Sequence, residues 1–411
     1  MHSSTINTHA IQLAERHDRS AGHDRRLPPM GFLLPAISLI GLLHAYIGLR
    51  LLPALDLGPL GTVVGILFLA LCTLLIPFGL LARWMAGRKS ERIAVTLTWA
   101  GLIAGGFASS LLVLTVIRDL LLLPAMAVLH AGSFQPVATF SAWMVALTAL
   151  LFTAIGLFNA RRRPQVVEVD VRLRDLPAGL HGFTITQISD VHVGPTIKRG
   201  FVERIVNQVN ALESDLIAIT GDLVDGSVRE LAEHVGPLAR LQARHGSYFV
   251  TGNHEYYSGA AAWVIELKRL GLFVLQNEHV ELHHQGESLV LAGVTDYSAH
   301  HFDERDRSDP QAALLGAPRD VALRILLAHQ PRSAVAAEAA GFHLQLSGHT
   351  HGGQFFPWNF FVRLQQPFTA GLHRLKSLWV YTSRGTGYWG PPKRLGAPAE
   401  ITRLRLLPAR S

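Results

Sequence analysis

The sequence is poor in cysteine and in charged residues, and both shortages limit the class of protein to which it can belong. Its 411 residues contain a single cysteine, Cys72, which excludes an intrachain disulfide framework. Charged residues make up 16% of the chain, whereas soluble domains contain about 25%. The net charge of +7 suits anionic lipid headgroups or a phosphate substrate, but no basic helix or basic–aromatic stripe favours nucleic acid. We therefore expect a membrane-embedded part and no nucleic-acid partner.

Charge-free apolar runs in the first 160 residues predict four membrane-spanning helices. A spanning helix needs about 20 mostly apolar residues. The four segments that meet this length are Leu27–Leu49, Leu57–Ala82, Ile93–Ile117 and, approximately, Thr139–Phe158. Pro124 and the polar stretch Gly132–Pro136 interrupt the run between the last two segments. We therefore expect Leu120–Ala131, which is too short to cross alone, to be an interfacial or re-entrant piece.

Basic residues beside these segments predict the orientation of the chain. Three clusters flank the spans: Arg16, Arg19, Arg25 and Arg26; Arg83, Arg88, Lys89 and Arg92; and Arg161, Arg162 and Arg163. With four spans, the preference of Lys and Arg for the inner side places all three clusters in the cytoplasm. The pair Arg25-Arg26 is a weak match to a twin-arginine export signal. We expect an integral inner (cell) membrane protein with a cytoplasmic tail at 1–26, a transmembrane region at 27–160, and cytoplasmic residues after Arg163.

The remaining residues alternate between strand and helix signals, which predicts an α/β (α+β) domain. A linker and a first strand occupy 161–181, and the domain proper covers 182–411. Short apolar strands are predicted at Phe183–Ile188, Leu216–Thr220, Tyr248–Thr251, Leu323–Ala328 and Leu344–Ser347, with helices between several of them. Hairpin-like spacing at 272–294 favours two sheets packed face to face with helices outside.

Five short motifs place metal-binding residue types just after predicted strands. They are Asp190-Val191-His192, Gly221-Asp222, Gly252-Asn253-His254-Glu255, His329 and Gly348-His349-Thr350-His351. Each motif alone is weak, because the chain has 21 histidines. Strand ends in α/β sheets open onto a common edge, however, so residues distant in sequence can share one cleft. The glycines at 221, 252 and 348 let the backbone turn tightly into that cleft.

In their order, these motifs resemble the calcineurin-like metallophosphoesterases. The resemblance covers roughly Gly182–Leu407, and the phrases at 185–194 and 347–354 are similar to a bacterial membrane-associated branch of the family. It implies a four-layer β-sandwich flanked by helices and a site for two divalent ions, with Mn, Fe or Zn as candidates. The ligands it implies are Asp190, His192 and His351 for the first metal, Asn253, His329 and His349 for the second, and Asp222 as a bridge.

The same resemblance implies hydrolysis of a phosphodiester or pyrophosphate by a metal-bridging hydroxide. His254 would be the catalytic residue beside the leaving group. Candidate substrates include a lipid-linked or nucleotide-sugar lipid, such as UDP-diacylglucosamine, at the bilayer surface. The alternative function is a catalytically weak membrane sensor or binding module. The sequence makes no prediction of oligomeric state.

Three further features have both a functional and a structural interpretation. Arg384 is a candidate phosphate contact or a surface arginine. Asp225 is expected to support the site from outside the metal ligands rather than to bind a metal. The aromatic residues that follow the last motif are a core patch or a lip that touches acyl chains: Phe355, Phe356, Trp358, Phe360 and Phe361.

Overall fold

The computed structural model describes residues 30–85, 91–128, 130–318 and 320–409, which fall into two compact units. The helical unit contains the described residues between Met30 and Arg161 together with the six-residue segment Gly390–Leu395. The other unit, which is called the catalytic unit because it carries the predicted metal-binding motifs, contains Arg162–Trp389 and the residues from Gly396 onward. The predicted tail at 1–26 and the basic residues Arg88 and Lys89 lie outside the described residues.

Four long helices make up most of the helical unit. They are α1 (Met30–Leu55), α2 (Gly58–Met85), α3 (Glu91–Val128) and α4 (Ala131–Arg161). Each contains a stretch long and apolar enough to cross a membrane, namely Leu34–Leu55, Gly58–Ala82, Arg92–Pro124 and Ser133–Arg161. The prediction of four apolar helices is therefore confirmed among the described residues.

The third and fourth helices are longer than the sequence predicted. Helix α3 continues through Pro124 to Val128, so the prediction of a separate re-entrant piece at Leu120–Ala131 is wrong. Leu120, Leu121 and Leu123 are exposed apolar side chains, as expected for a helix that faces lipid. The polar stretch Gly132–Pro136 begins α4 instead of interrupting it, because the carbonyl of His130 accepts the first amide bonds of that helix.

Small residues let two of these helices approach closely. A Cβ atom built on Gly101 of α3 would lie 2.8 Å from the Cα atom of Gly79 in α2. The small-residue face of α3 therefore packs against α2 in the manner common to membrane helices. At another level of the bundle, the buried Arg118 donates to Ser141 and Asp119, and Asp119 also accepts from Arg50. The Arg118–Asp119 pair thus joins α1, α3 and α4.

The catalytic unit is built on two six-stranded sheets. The strands are β1 (Gln165–Leu173), β2 (Thr184–Ile188), β3 (Leu216–Ile219), β4 (Ser247–Phe249), β5 (Phe273–Val274), β6 (Glu278–His284), β7 (Glu287–Gly293), β8 (Leu323–Leu327), β9 (Leu344–Ser347), β10 (Gly371–Leu375), β11 (Leu378–Thr382) and β12 (Glu400–Pro408). The first sheet has the order β1-β12-β2-β3-β4-β5, and the second has the order β10-β11-β9-β8-β7-β6.

Among the described residues, six α-helices accompany these sheets. They are α5 (Arg199–Asn210), α6 (Val228–Val235), α7 (Asn253–Ser258), α8 (Ala260–Arg269), α9 (Ala334–Ala339) and α10 (Trp358–Val362). A 3₁₀ helix that contains Pro237 follows α6 directly.

The hydrophobic core lies between the two sheets. Ile185 and Leu404 of the first sheet share one buried cluster with Leu291, Ile325 and Leu346 of the second. A second buried cluster lies on the other face of the second sheet, where side chains of α9 pack. The side-chain period of two in these strands places alternate residues in the two clusters. The predicted α/β fold with two facing sheets is thereby confirmed.

Three strands refine the predicted domain. Strand β1, which the sequence assigned to the linker region, pairs in parallel with β12 and is an edge of the first sheet. Strands β6 and β10 lack a regular apolar alternation and were not predicted as separate strands. Both are outer strands of the second sheet, where polar side chains are tolerated on the exposed face.

Candidate metal centre

The polar motifs lie together because each follows a strand at the same edge of its sheet. Asp190 follows β2, Asp222 follows β3, and Asn253 begins α7 after β4. These three strands are parallel neighbours in the first sheet. His329 follows β8, and the histidines at 349 and 351 follow β9, its parallel neighbour in the second sheet. Both sheets therefore contribute side chains to one centre.

The first group of potential metal ligands contains Asp190, His192 and His351. Each offers one ligand atom, and these atoms lie within 4.8 Å of one another. The Nε2 atoms of His192 and His351 are 3.0 Å apart, and His351 Nε2 is 3.4 Å from Asp190 Oδ1. All three residues are buried. Two imidazole nitrogens that face each other beside a buried carboxylate form a donor set suited to a divalent cation.

The second group contains Asp222, His329 and His349, whose ligand atoms also lie within 4.8 Å of one another. His329 Nε2 is 3.1 Å from Asp222 Oδ2 and 3.2 Å from His349 Nδ1. His329 Nδ1 donates to the carbonyl of Thr220, which leaves Nε2 directed into the group. Burial and the positive charge of His329 lower the pKa of His349 to about 3, so this imidazole is neutral and can act as a ligand.

Asn253 supplies independent evidence that a cation fits here. Its amide oxygen Oδ1 is buried and accepts no hydrogen bond from the described residues. A buried polar atom without a partner costs roughly 1–3 kcal/mol. A metal ion would satisfy this oxygen, and the neutral amide adds no negative charge to the centre.

Asp222, a member of the second group, also approaches the first group. Its Oδ2 atom is 3.1 Å from His329 Nε2 and 3.9 Å from His192 Nε2, so one carboxylate oxygen approaches a member of each group. The other oxygen accepts the backbone N–H of His254 at 2.9 Å, which fixes the orientation of the carboxylate. This placement is the one expected of a bridging ligand.

Asp225 connects the first group to His254. Its Oδ1 atom accepts hydrogen bonds from Nδ1 of His192 at 3.0 Å and from Nδ1 of His254 at 2.7 Å. Burial opposes ionisation of Asp225, but the two histidines outweigh it and hold the pKa of this carboxyl far below its usual value. The side chain therefore orients a potential ligand and the predicted proton donor together.

His254 is held as a cation by its surroundings. Burial disfavours the imidazolium, but the hydrogen bond to Asp225 and the charge of Asp222 raise the pKa of His254 to about 9. Its ring also contacts two aromatic rings edge to face, those of Tyr257 at 5.2 Å and Trp389 at 5.6 Å between centroids. His254 thus has a proton to donate and a fixed ring orientation.

Glu255 is a supporting residue whose role was not predicted from the sequence. Its buried carboxylate accepts the backbone N–H groups of Asp222, Leu223 and Gly252 at 2.6–2.9 Å. Burial and the charge of Asp222 raise the pKa of Glu255 to about 7. The side chain ties the loop after β3 to the loop after β4. Its position next to His254 in the motif was the available signal.

The loops at this centre have unusual backbone conformations. Five of the seven predicted ligands have φ between +51° and +70°, a region that non-glycine residues rarely occupy: Asp190, His192, Asp222, His349 and His351. Such conformations persist only where the surrounding structure imposes them, and they cluster at functional sites. A Cβ atom on Gly348 would overlap Ser189 Oγ and Asp190 Oδ2, so this close approach requires glycine.

The softer candidates have defined positions as well. Arg384 donates through Nε to the buried Glu400 at 2.6 Å, and its side chain is one-third exposed. The predicted phosphate contact at Arg384 stays a prediction. Phe355 is buried, but the other four aromatic residues of the cluster are exposed. They lie in or just before α10, shortly after His351 in the chain.

Comparison with known proteins agrees with this centre. Residues 183–353 match the family model of the calcineurin-like phosphoesterases. The chain is 41% identical over 275 residues to a Bos taurus protein named "Transmembrane protein with metallophosphoesterase domain", and 38% identical over 270 residues to a Danio rerio protein of the same name. The alignments cover 64% and 63% of this chain and 62% of each relative.

A shorter relative is covered almost completely. An Aquifex aeolicus protein named "Uncharacterized metallophosphoesterase" is 33% identical over 240 residues, which cover 58% of this chain and 89% of that protein. The chain therefore belongs to the calcineurin-like metallophosphoesterase family. Its four apolar helices and its relatives named as transmembrane proteins support a membrane protein. The chain spans about six-tenths of the length of those two vertebrate relatives.

Proposed function

We propose that this protein is a membrane-anchored phosphoesterase that uses two divalent metal ions to hydrolyse a phosphodiester or pyrophosphate. The observation that carries the proposal is the presence of two neighbouring ligand groups, with Asp222 of the second group 3.9 Å from His192 of the first. We assign Asp190, His192 and His351 to the first ion, and Asn253, His329 and His349 to the second. Mn, Fe and Zn all accept this set of carboxylate, imidazole and amide ligands.

Two divalent ions in such a site supply an activated water and positive charge for the phosphoryl oxygens. The protein residues supply orientation and a proton. His254, held by Asp225, donates its Nε2 proton to the departing oxygen, because Nδ1 is engaged with the Asp225 carboxylate. Asp222 orients the loop that carries His254 through the backbone bond of that residue.

A metal-dependent assay on the detergent-solubilised full chain tests the reaction. We expect hydrolysis of bis(p-nitrophenyl) phosphate with Mn²⁺, and loss of this activity in Asp222→Ala. His254→Ala should lose more activity on diphenyl phosphate than on bis(p-nitrophenyl) phosphate, because the phenolate leaving group is more basic and depends more on a proton donor. Absence of metal-dependent turnover on any phosphoester would contradict the enzyme proposal and favour the alternative of a sensor or binding module.

We infer a lipid-linked substrate, with a lipid that carries a nucleotide-sugar group as one example. The support is the family's chemistry in a chain with four apolar helices, together with exposed aromatic side chains close in sequence to the ligand His351. Trp358, Phe360 and Phe361 are 47%, 60% and 53% exposed. Aromatic side chains of this kind are favourable at a membrane interface.

Substitution in α10 tests this inference. Trp358→Ser together with Phe360→Ser should reduce turnover of a phosphodiester held in vesicles while sparing a soluble phosphodiester. Leu315→Ser, a change at a 76% exposed leucine elsewhere in the catalytic unit, is the control. Equal activity of the double variant on both substrates would rule out the lipid contact.

We also propose that the catalytic unit is cytoplasmic. The support is the basic cluster Arg161–Arg163 at the end of the last candidate span, because Lys and Arg favour the inner side. A reporter that works only in the cytoplasm should be active when it is fused after residue 409. Activity of an exported reporter at the same position would reverse the orientation.

A further inference from the structure

A short segment of the chain leaves the catalytic unit and packs among the membrane helices. The segment Gly390–Leu395 clusters with α1–α4 and not with the sheets that precede and follow it. Lys393 is 2% exposed and Arg394 is fully buried. Two adjacent buried basic residues are uncommon, because removing a cation from water is costly unless polar groups surround it.

Polar groups of two helices hold the segment. Lys393 Nζ donates to the carbonyl of Gly106 at 3.0 Å and to the hydroxyl of Ser110, both in α3. The backbone N–H of Arg394 donates to the carbonyl of Gly156 in α4 at 2.9 Å, and Asn159 returns a bond to the carbonyl of Arg394 at 3.1 Å. The segment is therefore fixed by both its backbone and a side chain.

Two glycines make room for this segment. A Cβ atom on Gly156 would lie 2.5 Å from Lys393 Cγ, and a Cβ atom on Gly106 would lie 3.1 Å from Pro391 Cβ. By contrast, a Cβ atom on Gly105 would meet nothing nearer than Ile76 at 3.9 Å. Glycine is unfavourable in a helix interior, so its presence at 106 and 156 is explained by the segment.

The residue immediately before the segment belongs to the centre. The Trp389 ring contacts His254 edge to face at 5.6 Å. The side-chain amide of Gln354, three residues after the predicted ligand His351, bonds both the N–H and the carbonyl of Trp389 at 2.9 Å. Gln354 thus fixes the backbone of Trp389, and the next residue along the chain is the first of the segment Gly390–Leu395.

We propose that Gly390–Leu395 is a positioning segment, through which α3 and α4 hold Trp389 against His254. Lys393 is the positioning residue, and the helices thereby take part in catalysis as well as in anchoring. This inference rests on the proposed function, since it assigns a task to the contact between Trp389 and the proton donor.

Matched glycine substitutions test the proposal. Gly156→Ala should displace the segment, whereas Gly105→Ala should not. Hydrogen exchange of peptides from 386–398 should become faster in Gly156→Ala alone. Its kcat should fall by up to about 100-fold, the scale of a small misplacement near the reacting atoms, with KM little changed. The loss should be larger on diphenyl phosphate than on bis(p-nitrophenyl) phosphate, because a misplaced His254 matters most for the more basic leaving group.

A lysine pair provides the second arm if Gly156→Ala fails to fold. Lys393→Met keeps the length of the side chain but removes its hydrogen bonds, and Lys376→Met changes an exposed lysine that pairs with Glu338. Only Lys393→Met should reproduce the exchange and kcat effects. Unchanged exchange, or faster exchange with wild-type kcat, or equal losses on both substrates, would overturn the positioning role. Lack of turnover by the wild-type protein would instead contradict the proposed function, and the exchange measurements would still report whether the segment is held.

Discussion

Asp225 belongs to neither of the two ligand groups, yet one of its oxygens accepts hydrogen bonds from two imidazoles of the centre. It fixes His192 through Nδ1, so that Nε2 is left for a metal, and it stabilises the charged form of His254. An uncharged side chain at this position cannot both orient His192 and stabilise the positive charge of His254. A single substitution should therefore disturb metal binding and proton donation together.

We predict that Asp225→Asn lowers metal affinity or activity by about 10–100-fold, the range typical of residues that orient metal ligands. The amide has one oxygen that accepts and a nitrogen that donates, so it cannot stabilise the imidazolium of His254. Metal titration and turnover of diphenyl phosphate measure the two effects. Asp170→Asn, at an exposed pair with Arg405, is the control. Wild-type metal affinity and turnover in Asp225→Asn would contradict the assignment.

A second residue-scale prediction concerns Gly348. Gly348→Ala should displace the Asp190 carboxylate, because the added methyl group would overlap Oδ2 of that residue. We expect weaker binding of one of the two ions, measured as metal content per chain after dialysis. Gly200→Ala, where a Cβ atom meets nothing within 4 Å, should bind as the wild type does. Full metal content in Gly348→Ala would argue against Asp190 as a ligand.

The sequence predicted which residues would meet but not how their neighbours would support them. The motifs around Asp190 and Asp222 each follow a short predicted strand, so their convergence could be inferred from strand direction alone. The roles of Glu255 and Trp389 depend on which backbone groups and rings lie nearby in three dimensions. No local pattern encodes such contacts, and a sequence pattern places a residue without orienting its side chain.

At the scale of elements, the loops after β3 and β4 are joined by a single carboxylate. Glu255 accepts N–H groups from both loops. We predict that Glu255→Gln lowers the thermal stability of the metal-free protein, because its amide nitrogen would face donors. Each unsatisfied buried N–H costs about 1–3 kcal/mol. Thermal unfolding measures the change.

The exposed Glu278 provides a matched control for this substitution. Glu278→Gln should unfold at the wild-type temperature, since its carboxylate accepts only a long bond from the N–H of Gln276. If Glu255→Gln unfolds at the same temperature as Glu278→Gln, the two loops are held by other contacts.

The strands differ in how well their sequences predict them. Strands β3 and β8 are mostly apolar, and β2 and β9 carry apolar residues at alternate or nearly alternate positions. All four end at polar motifs, and all four were predicted. Strands β6 and β10 are outer strands whose side chains are half-exposed or exposed in most positions. Their pairing is decided by neighbouring strands distant from them in sequence, so their own composition carries little signal.

The whole molecule should be more stable with metal than without it. Binding of an ion to the folded state alone stabilises by about 2.7 kcal/mol when the free ion is at 100 times its Kd. We predict that Mn²⁺ raises the unfolding temperature of the metal-free catalytic unit, monitored in the full chain. The rise should be much smaller in Asp222→Ala, because this change removes the shared carboxylate. An equal rise in both proteins would mean that Mn²⁺ binds elsewhere.

The pairing of β1 with β12 has a consequence for biosynthesis. Gln165 aligns with Glu400, so β1 leaves the ribosome 235 residues before its hydrogen-bonding partner. At about 5–20 residues per second, the strand waits on the order of tens of seconds for its partner. An unpaired strand can pair with another chain and aggregate, and charged side chains on the strand disfavour such pairing. Glu168, Asp170 and Arg172 occupy alternate positions along β1. These charges should keep the strand from aggregating until β12 has been translated.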